Sequence, residues 1–224
     1  MRIAIALFAA TVASSTSALA LTVPFTEKFE SAASNWSIGA VLTPLTYVSN
    51  GGPDGSGYGS RSFSFTGISS GSTPILFRGQ SNFNSSGNAF VGNWITGGVT
   101  KLQFSLRHNV DAPVTFFARI SPDPVTSANP GGVIALTAPT AANQWTTFTV
   151  DIGPASPFIY EGTTFENVFS AVARLQFGVF VDAGTANKAG PFTFDIDNVA
   201  IVPATSTLSV AGAGLVLAGR RRRR

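Results

Sequence analysis

Residues 67–71 read Gly-Ile-Ser-Ser-Gly and match the G-x-S-x-G string that carries the nucleophilic serine of many hydrolases. That role requires a strand before the serine, a helix after it, and then an acid and a histidine in that order. Pro74 stands where the helix would begin. After Ser69, the single histidine of the chain, His108, comes before the next acidic residue, so the required order is not met. We therefore interpret the string as a turn and His108 as a structural histidine, hydrogen-bonded at the end of a strand.

Carboxylates are the second source of chemistry. Glycoside hydrolysis needs two of them facing each other across a cleft, and the spacing of the eleven acidic residues favours no pair. A zinc site is disfavoured because the chain has one histidine and no cysteine. A glycoside hydrolase is therefore the third of the functions that we weigh.

Aromatic rings are the third source, because a sugar presents a C–H face to a ring while amides and acids bind its hydroxyl groups. Tyr58 lies in a glycine-rich stretch, and Trp94 lies between Asn93 and a Thr-Gly-Gly turn. With Trp36, these are the candidate ligand-binding residues, and core packing is the alternative for each ring. Trp145 begins an alternating segment and is predicted to lie in the core.

The first twenty residues are expected to be a signal peptide. Arg2 precedes an apolar run over 3–12, and Ala18-Leu19-Ala20 fits the small-x-small cleavage rule. The run is about half the roughly 20 residues of a membrane-spanning helix. We therefore expect export by the Sec machinery and cleavage by signal peptidase.

Residues 203–224 are predicted to form a second targeting element. Pro203 opens it, a small and apolar run covers 208–219, and the chain ends in five arginines, Arg220, Arg221, Arg222, Arg223 and Arg224. The arginines would stay in the cytoplasm while the run sits transiently in the membrane. The alternative, a basic tail that binds nucleic acid, loses support because residues 21–202 hold eight basic against eleven acidic side chains.

The tail resembles the PEP-CTERM sorting signal on the sequence V-P-A-T-S-T-L at 202–208, the Gly/Ala/Leu run and the terminal arginines. In that family a Pro-Glu-Pro motif precedes the membrane segment, and an exosortase is believed to process it. The resemblance implies delivery to the cell surface or the extracellular matrix. Ala204 and Thr205 replace the Glu and the second Pro, which puts cleavage by an exosortase in question more than tethering.

The segment between the two signals, residues 21–202, is predicted to be one all-β domain. Short runs of alternating apolar and polar residues predict about ten strands, at 25–29, 42–48, 62–65, 75–78, 102–106, 114–120, 133–136, 145–151, 175–181 and 192–202. Thr163-x-x-Glu166 is a candidate capping box and predicts one short helix in a long connection. Many short strands separated by glycine-rich turns indicate a single jelly-roll β-sandwich.

Three stretches are similar to extracellular jelly-roll modules of the laminin-G-like and carbohydrate-binding kinds. They are F-T-E-K-F-E-S-A-A-S-N-W at 25–36, G-G-P-D-G-S-G-Y at 51–58 and F-D-I-D-N-V-A-I at 194–201. In such modules the first and last strands often share a calcium ion. The resemblance implies that Glu30 and Asp197 hold a structural Ca²⁺, with Asp195 on the same face and loop carbonyls completing the shell. A side-chain cap of a turn is the alternative for Asp197.

Two functions from different classes follow. The first is a non-catalytic surface protein that binds polysaccharide, which predicts exposed aromatic rings grouped with amides. The second is a structural or adhesive envelope protein without a small ligand, which predicts that all three tryptophans are buried.

Overall fold

The structure is a computed structural model and describes residues 21–122, 130–136 and 138–204. The predicted signal peptide, the apolar run and Arg220 to Arg224 lie outside the described residues. Within the described part, no helix is long and apolar enough to cross a membrane.

Eleven strands and one short α-helix make up the described domain. The strands are β1 (Phe25–Glu27), β2 (Thr46–Val48), β3 (Tyr58–Phe63), β4 (Ile75–Gln80), β5 (Val99–His108), β6 (Thr115–Ser121), β7 (Gly132–Ala135), β8 (Thr146–Asp151), β9 (Ile159–Tyr160), β10 (Arg174–Phe180) and β11 (Phe192–Pro203). The helix α1 (Phe165–Phe169) lies between β9 and β10, and two 3₁₀ segments, Ser81–Phe83 and Ser85–Asn88, follow β4.

The strands form two antiparallel sheets. One has the order β2-β3-β11-β5-β8, with β1 also paired to β11, and the other has the order β4-β10-β6-β7-β9. Neighbours within each sheet are mostly distant in sequence, as in a Greek-key or jelly-roll sandwich. The predicted fold class, an all-β sandwich with one short helix, is confirmed.

Period-two alternation explains why the two sheets bury their facing sides. On β5 the inward residues are Leu102, Phe104 and Leu106, and on β10 they are Leu175, Phe177 and Val179, all of them in one hydrophobic core. The Phe104 and Phe177 rings meet across the sandwich with their centroids 4.4 Å apart. The residues between them on each strand point away from the core and are free to build a binding surface.

Arg61 links the edges of the two sheets. It lies on β3, and its Nη1 donates to the carbonyl oxygens of Ile75 and Leu76 on β4, at 3.2 and 2.9 Å. A third bond reaches the carbonyl oxygen of Ile38 at 3.3 Å. Burial, and then the charge of Arg78, lowers the pKa of Arg61 to about 10. The guanidinium thus satisfies backbone carbonyls where the two sheets meet.

Three local features differ from the sequence predictions. The α1 cap is Thr164, whose Oγ1 accepts from the backbone N–H of Asn167 at 3.3 Å, so the helix begins one residue later than Thr163 implied. Strand β9 was not predicted, because two residues are too short for an alternation to be visible. Pro203, the predicted start of the sorting signal, is the last residue of β11 and lies opposite Val99.

Candidate functional site

A row of side chains crosses the outer face of the five-stranded sheet. Residues directly opposite each other on neighbouring strands project from the same face. The register pairs Arg78 of β4 with Gln176 of β10, Gln176 with Arg119 of β6, Arg119 with Val133 of β7, and Val133 with Ile159 of β9. The row therefore places one arginine on each side of Gln176. The backbones of Arg78 and Arg119 are about 10 Å apart, which is twice the strand spacing.

Apolar side chains flank this row and turn it into an open cleft, which encloses about 660 Å³. We call it the cleft and define it by its described lining residues, Thr73, Ile75, Arg78, Phe117, Arg119, Val133, Ile159, Glu161, Gln176 and Phe180. Phe117 and Phe180 contact each other with ring centroids 5.1 Å apart. Ile159, at the opposite side, is 74% exposed. A polar floor between apolar walls is typical of small-molecule and sugar sites.

Arg119 is held rigidly at the centre of the cleft. Its Nε and Nη2 lie 2.7 and 2.6 Å from Oε2 of Glu161, and its Nη1 donates to Oε1 of Gln176 at 2.8 Å. Glu161 keeps 47% of its side chain exposed, whereas Arg119 and Gln176 are buried. Because these contacts fix the side chains of Arg119 and Gln176, little conformational entropy of these two residues would be lost when a ligand binds.

Arg78 is the less satisfied of the two arginines. Within the described part of the chain it makes no ion pair, and its buried Nε has no hydrogen-bond partner. Burial, and then the nearby charge of Arg119, lowers the pKa of Arg78. Arg78 as a whole is half-exposed, so a ligand that brings an acceptor and a negative charge to its guanidinium would be stabilised.

A second aromatic cluster lies on the outer face of the six-stranded sheet. The Arg107 guanidinium carbon lies 4.9 Å from the centroid of the Tyr58 ring and 4.6 Å from that of Trp145. Arg107 Nε also bonds Oδ2 of the buried Asp195 at 2.8 Å. Trp145 Nε1 donates to the carbonyl oxygen of Gly51 at 2.9 Å. The prediction that Trp145 lies in the core is wrong, because its ring is half-exposed on this face.

Tyr58 is half-exposed as predicted, but the arginine already contacts its ring, so this cluster is an internally satisfied cation–π group.

The expectation that Trp36 and Trp94 present their rings to a ligand is wrong, because both are 0% exposed. Trp36 stacks on Phe177 at 6.0 Å between centroids, and its Nε1 donates to Ser86 Oγ at 2.8 Å. Trp94 Nε1 donates to the carbonyl oxygen of Phe90 at 2.8 Å. Each indole thus has its polar atom satisfied inside the core.

Asp197 lies at an irregularity of β11, where the pairing with β5 shifts after this residue. The side chain is fully buried, and its Oδ1 and Oδ2 accept from the backbone N–H of Asn198 and from Ser56 Oγ at 2.7 and 2.8 Å. Burial, together with the charges of Asp54 and Glu30, raises the pKa of Asp197 to about 6. The Asn198 bond is the turn-capping contact that the sequence offered as an alternative.

The loop at 51–56 contacts Asp197 through Ser56, and the charge of Glu30 also acts on Asp197. Asp195 is engaged instead by Arg107. Among the residues that the structure describes, no three acidic or histidine side chains stand close enough together to hold a metal ion by themselves.

His108 confirms its prediction as a structural histidine at the end of a strand. It is buried, and its Nε2 lies 3.0 Å from Oγ1 and 3.1 Å from the carbonyl oxygen of Thr140. Residues 67–71 form the turn that joins β3 to β4, with no helix after Ser69.

The burial of His108 predicts a loss of stability in acid. Burial lowers the pKa of His108 below its usual 6.5, so the unfolded chain takes up the proton before the folded chain does. The contribution of His108 to stability is therefore complete above pH 6.5 and is lost as the pH drops below it. We expect thermal melts to show that wild type loses more stability below pH 6.5 than His108→Gln does. Parallel pH profiles for the two proteins would contradict this assignment.

The cleft residues Arg78, Arg119 and Gln176 were not identified from the sequence. Their alternation with core residues on β6 and β10 was visible, since Arg119 lies between Ala118 and Ile120, and Gln176 lies between Leu175 and Phe177. A polar residue inside an apolar run was the available signal. The pairing of β10 with both β4 and β6, which brings the three residues together, was not visible in the sequence.

Comparison with solved structures shows distant similarity to jelly-roll modules. A Clostridium thermocellum xylanase 10B comprising CBM22-1 and GH10 modules, complexed with xylohexaose, gives a TM-score of 0.49 at 17% identity, over 81% of this chain and 29% of the xylanase chain. The family 11 carbohydrate-binding module of the C. thermocellum cellulase Lic26A-Cel5E gives 0.49 at 15% identity, over 81% and 95%. The L4b domain of human laminin α-2 gives 0.36 at 12%, over 56% and 68%.

No protein-family model and no curated protein sequence matches the chain.

Proposed function

We propose that the protein is a non-catalytic, exported surface or matrix protein that binds a polysaccharide in the cleft. The observation that carries the proposal is the row of Arg78, Gln176 and Arg119 between apolar walls on an open sheet face. An open cleft accepts a chain that continues beyond the bound units, as a polymer requires.

Each part of the cleft has a task in this proposal. The guanidinium of Arg78 binds ring hydroxyl groups, because fixed fork-shaped donors suit pairs of neighbouring oxygens. Phe180 and Ile159 cover the C–H faces of the sugar from the two sides. The rigid contacts of Arg119 to Glu161 and Gln176 keep the floor in place when no sugar is bound.

A binding role is favoured over hydrolysis by the carboxylates of the cleft. Glu161 is the single carboxylate among the described lining residues, and it is occupied by Arg119. A glycosidase needs an acid and a second carboxylate. Export, a transient membrane tether and processing by an exosortase belong to the same proposal, and they rest on residues 1–20 and 203–224 of the sequence.

A structural Ca²⁺ near Asp197 is a separate part of the proposal. Asp197 is a fully buried carboxylate that has no cationic partner among the described residues, which is the situation a bound cation would relieve. Its two oxygens accept one hydrogen bond each and keep further lone pairs. Asp197 and Glu30 would hold the ion, with carbonyl oxygens of the 51–56 loop as further ligands.

Phe180→Ala tests the cleft as the binding surface. We expect the affinity for the polysaccharide that binds wild type to fall about tenfold, because the sugar loses an aromatic wall worth about 1.4 kcal/mol. The measurement is affinity electrophoresis against a panel of neutral and acidic polysaccharides. Phe165→Ala is the matched control, since Phe165 is also half-buried but lies on α1, away from the cleft lining.

Equal losses in the two variants would contradict the assignment to the cleft. No binding to any polymer would instead favour a purely structural or adhesive envelope protein.

A further inference from the structure

The charges of the cleft are unbalanced. Its described lining holds two guanidinium groups, Arg78 and Arg119, against the one carboxylate of Glu161. Oε2 of Glu161 lies 2.6 Å from Nη2 of Arg119, so the negative charge of Glu161 is paired with that arginine. Arg78 is left with its charge uncompensated within the described part of the chain, although it stands on a partly buried face.

Hydroxyl groups alone would not correct this imbalance. A sugar hydroxyl can accept a hydrogen bond from the guanidinium of Arg78, but it brings no charge to offset that group. A carboxylate does both, because its two oxygens match the parallel donors of an arginine. The negative charge of the ligand carboxylate would also lie near Arg119. The positive charge of Arg119 disfavours the cationic form of Arg78.

From these contacts we infer that the cleft selects acidic polysaccharides, with Arg78 binding the carboxylate of a uronic acid unit above Gln176. This inference rests on the proposed function and deepens it by naming the ligand class. Neighbouring units of the polymer pack between Phe180 and Ile159, so the sugar ring supplies apolar contact while the carboxylate supplies charge.

Paired polymers that differ only in charge provide the test. Polygalacturonate is compared with its methyl ester, and C6-oxidised cello-oligosaccharides with unoxidised ones of the same length, by calorimetry on the full chain at physiological salt. Dextran sulfate is added as a polyanion without carboxylates. We expect the carboxylated member of at least one pair to bind about tenfold or more tightly than its neutral partner, since charge-assisted hydrogen bonds are about twice as strong as neutral ones. Dextran sulfate should bind weakly.

Gln176→Glu is the decisive variant because it changes charge and almost nothing else. The new carboxylate would lie between the two arginines in the register and occupy the place of the ligand carboxylate. We expect it to abolish the preference for the acidic polymer and leave the thermal midpoint no lower than that of wild type. Gln103→Glu, the same change on β5 of the other sheet, should keep the preference. Arg78→Gln should lower acidic binding about tenfold by removing the charge-assisted bonds.

The outcomes separate the two levels of the proposal. Neutral polymers that bind as well as acidic ones, with binding lost in Phe180→Ala, would overturn the acidic selectivity and leave polysaccharide binding standing. Dextran sulfate that binds as tightly as the carboxylated polymers would overturn the assignment of the carboxylate as the group that Arg78 selects. Failure of every polymer to bind would overturn both.

Discussion

Replacement of Trp36 by alanine is expected to lower the free energy of unfolding by about 3–5 kcal/mol, the range for deletion of a large buried aromatic side chain. Trp36 is fully buried, stacks on Phe177, and makes edge contacts with Phe29 and Phe90 at 5.9 and 6.1 Å. A Cβ on Gly79 would approach the indole to 2.8 Å, so the ring fills its space tightly. Chemical denaturation with linear extrapolation measures the loss.

Two companion variants make this result interpretable. Trp36→Phe retains an aromatic ring, should lose less stability, and is expected to bind polysaccharide as wild type does. Trp145→Ala, on the half-exposed face of the other sheet, should also lose less stability than Trp36→Ala because its ring is not part of the core. A Trp36→Phe variant that keeps its stability and loses binding would return Trp36 to the role of a ligand-binding residue.

Asp197→Asn is expected to be more stable than wild type at pH 7.5 in chelator. The folded-state pKa of Asp197 is raised to about 6 from 3.8, so ionisation is harder in the folded chain than in the unfolded chain. The free-energy penalty of ionising Asp197 in the folded chain is absent below pH 3.8, grows between pH 3.8 and about 6, and reaches its full size above pH 6. At about 1.4 kcal/mol for each pH unit, it is on the order of 3 kcal/mol. Asparagine cannot ionise and avoids this penalty.

Calcium should cancel most of the stability difference between the two proteins. Calcium at 100 times its dissociation constant adds roughly 2.7 kcal/mol to a protein that binds it only when folded. Wild type should gain this stabilisation and Asp197→Asn should not. Asp195→Asn is the matched control on the same strand. It should be destabilised with or without calcium, because it leaves Arg107 without its carboxylate partner.

Thermal melts at pH 4 and pH 7.5, each with calcium and with chelator, distinguish the cases. An Asp197→Asn variant that is less stable than wild type in chelator at pH 7.5 would contradict the raised pKa. A wild-type melting temperature that calcium does not change would contradict the metal site alone.

The sandwich was predictable because its signal is local. Alternation along β5 and β10 reports which side chains face the core, since successive residues of a strand point to opposite faces. In the sequence, only the resemblance to jelly-roll modules indicated that residues 194–201 and the glycine-rich loop at 51–58 lie close together. The structure places Ser56 of that loop 2.8 Å from Asp197.

The burial of the tryptophans and the position of the cleft were not predictable in the same way. Trp36 and Trp94 lie in short turns rather than in strands, so no alternation indicates which side they face. Trp94 is buried because α1 packs against it, with the Phe169 ring 5.9 Å away. The cleft depends on the pairing of β4 with β10 and of β10 with β6, strands separated by long stretches of sequence. A row such as Arg78, Gln176 and Arg119 exists only after that register is formed.

The most direct test of the cleft is a titration of the ¹⁵N-labelled protein with oligogalacturonate and with a neutral xylo-oligosaccharide, followed by amide chemical shifts. Binding in the cleft predicts the largest shifts for the acidic sugar at Arg78, Phe117, Arg119, Val133 and Gln176. Residues of the outer face of the six-stranded sheet, such as Arg107 and Trp145, should stay unchanged. Shifts concentrated at Tyr58, Arg107 and Trp145, with the cleft silent, would contradict the account and move the binding surface to the opposite sheet.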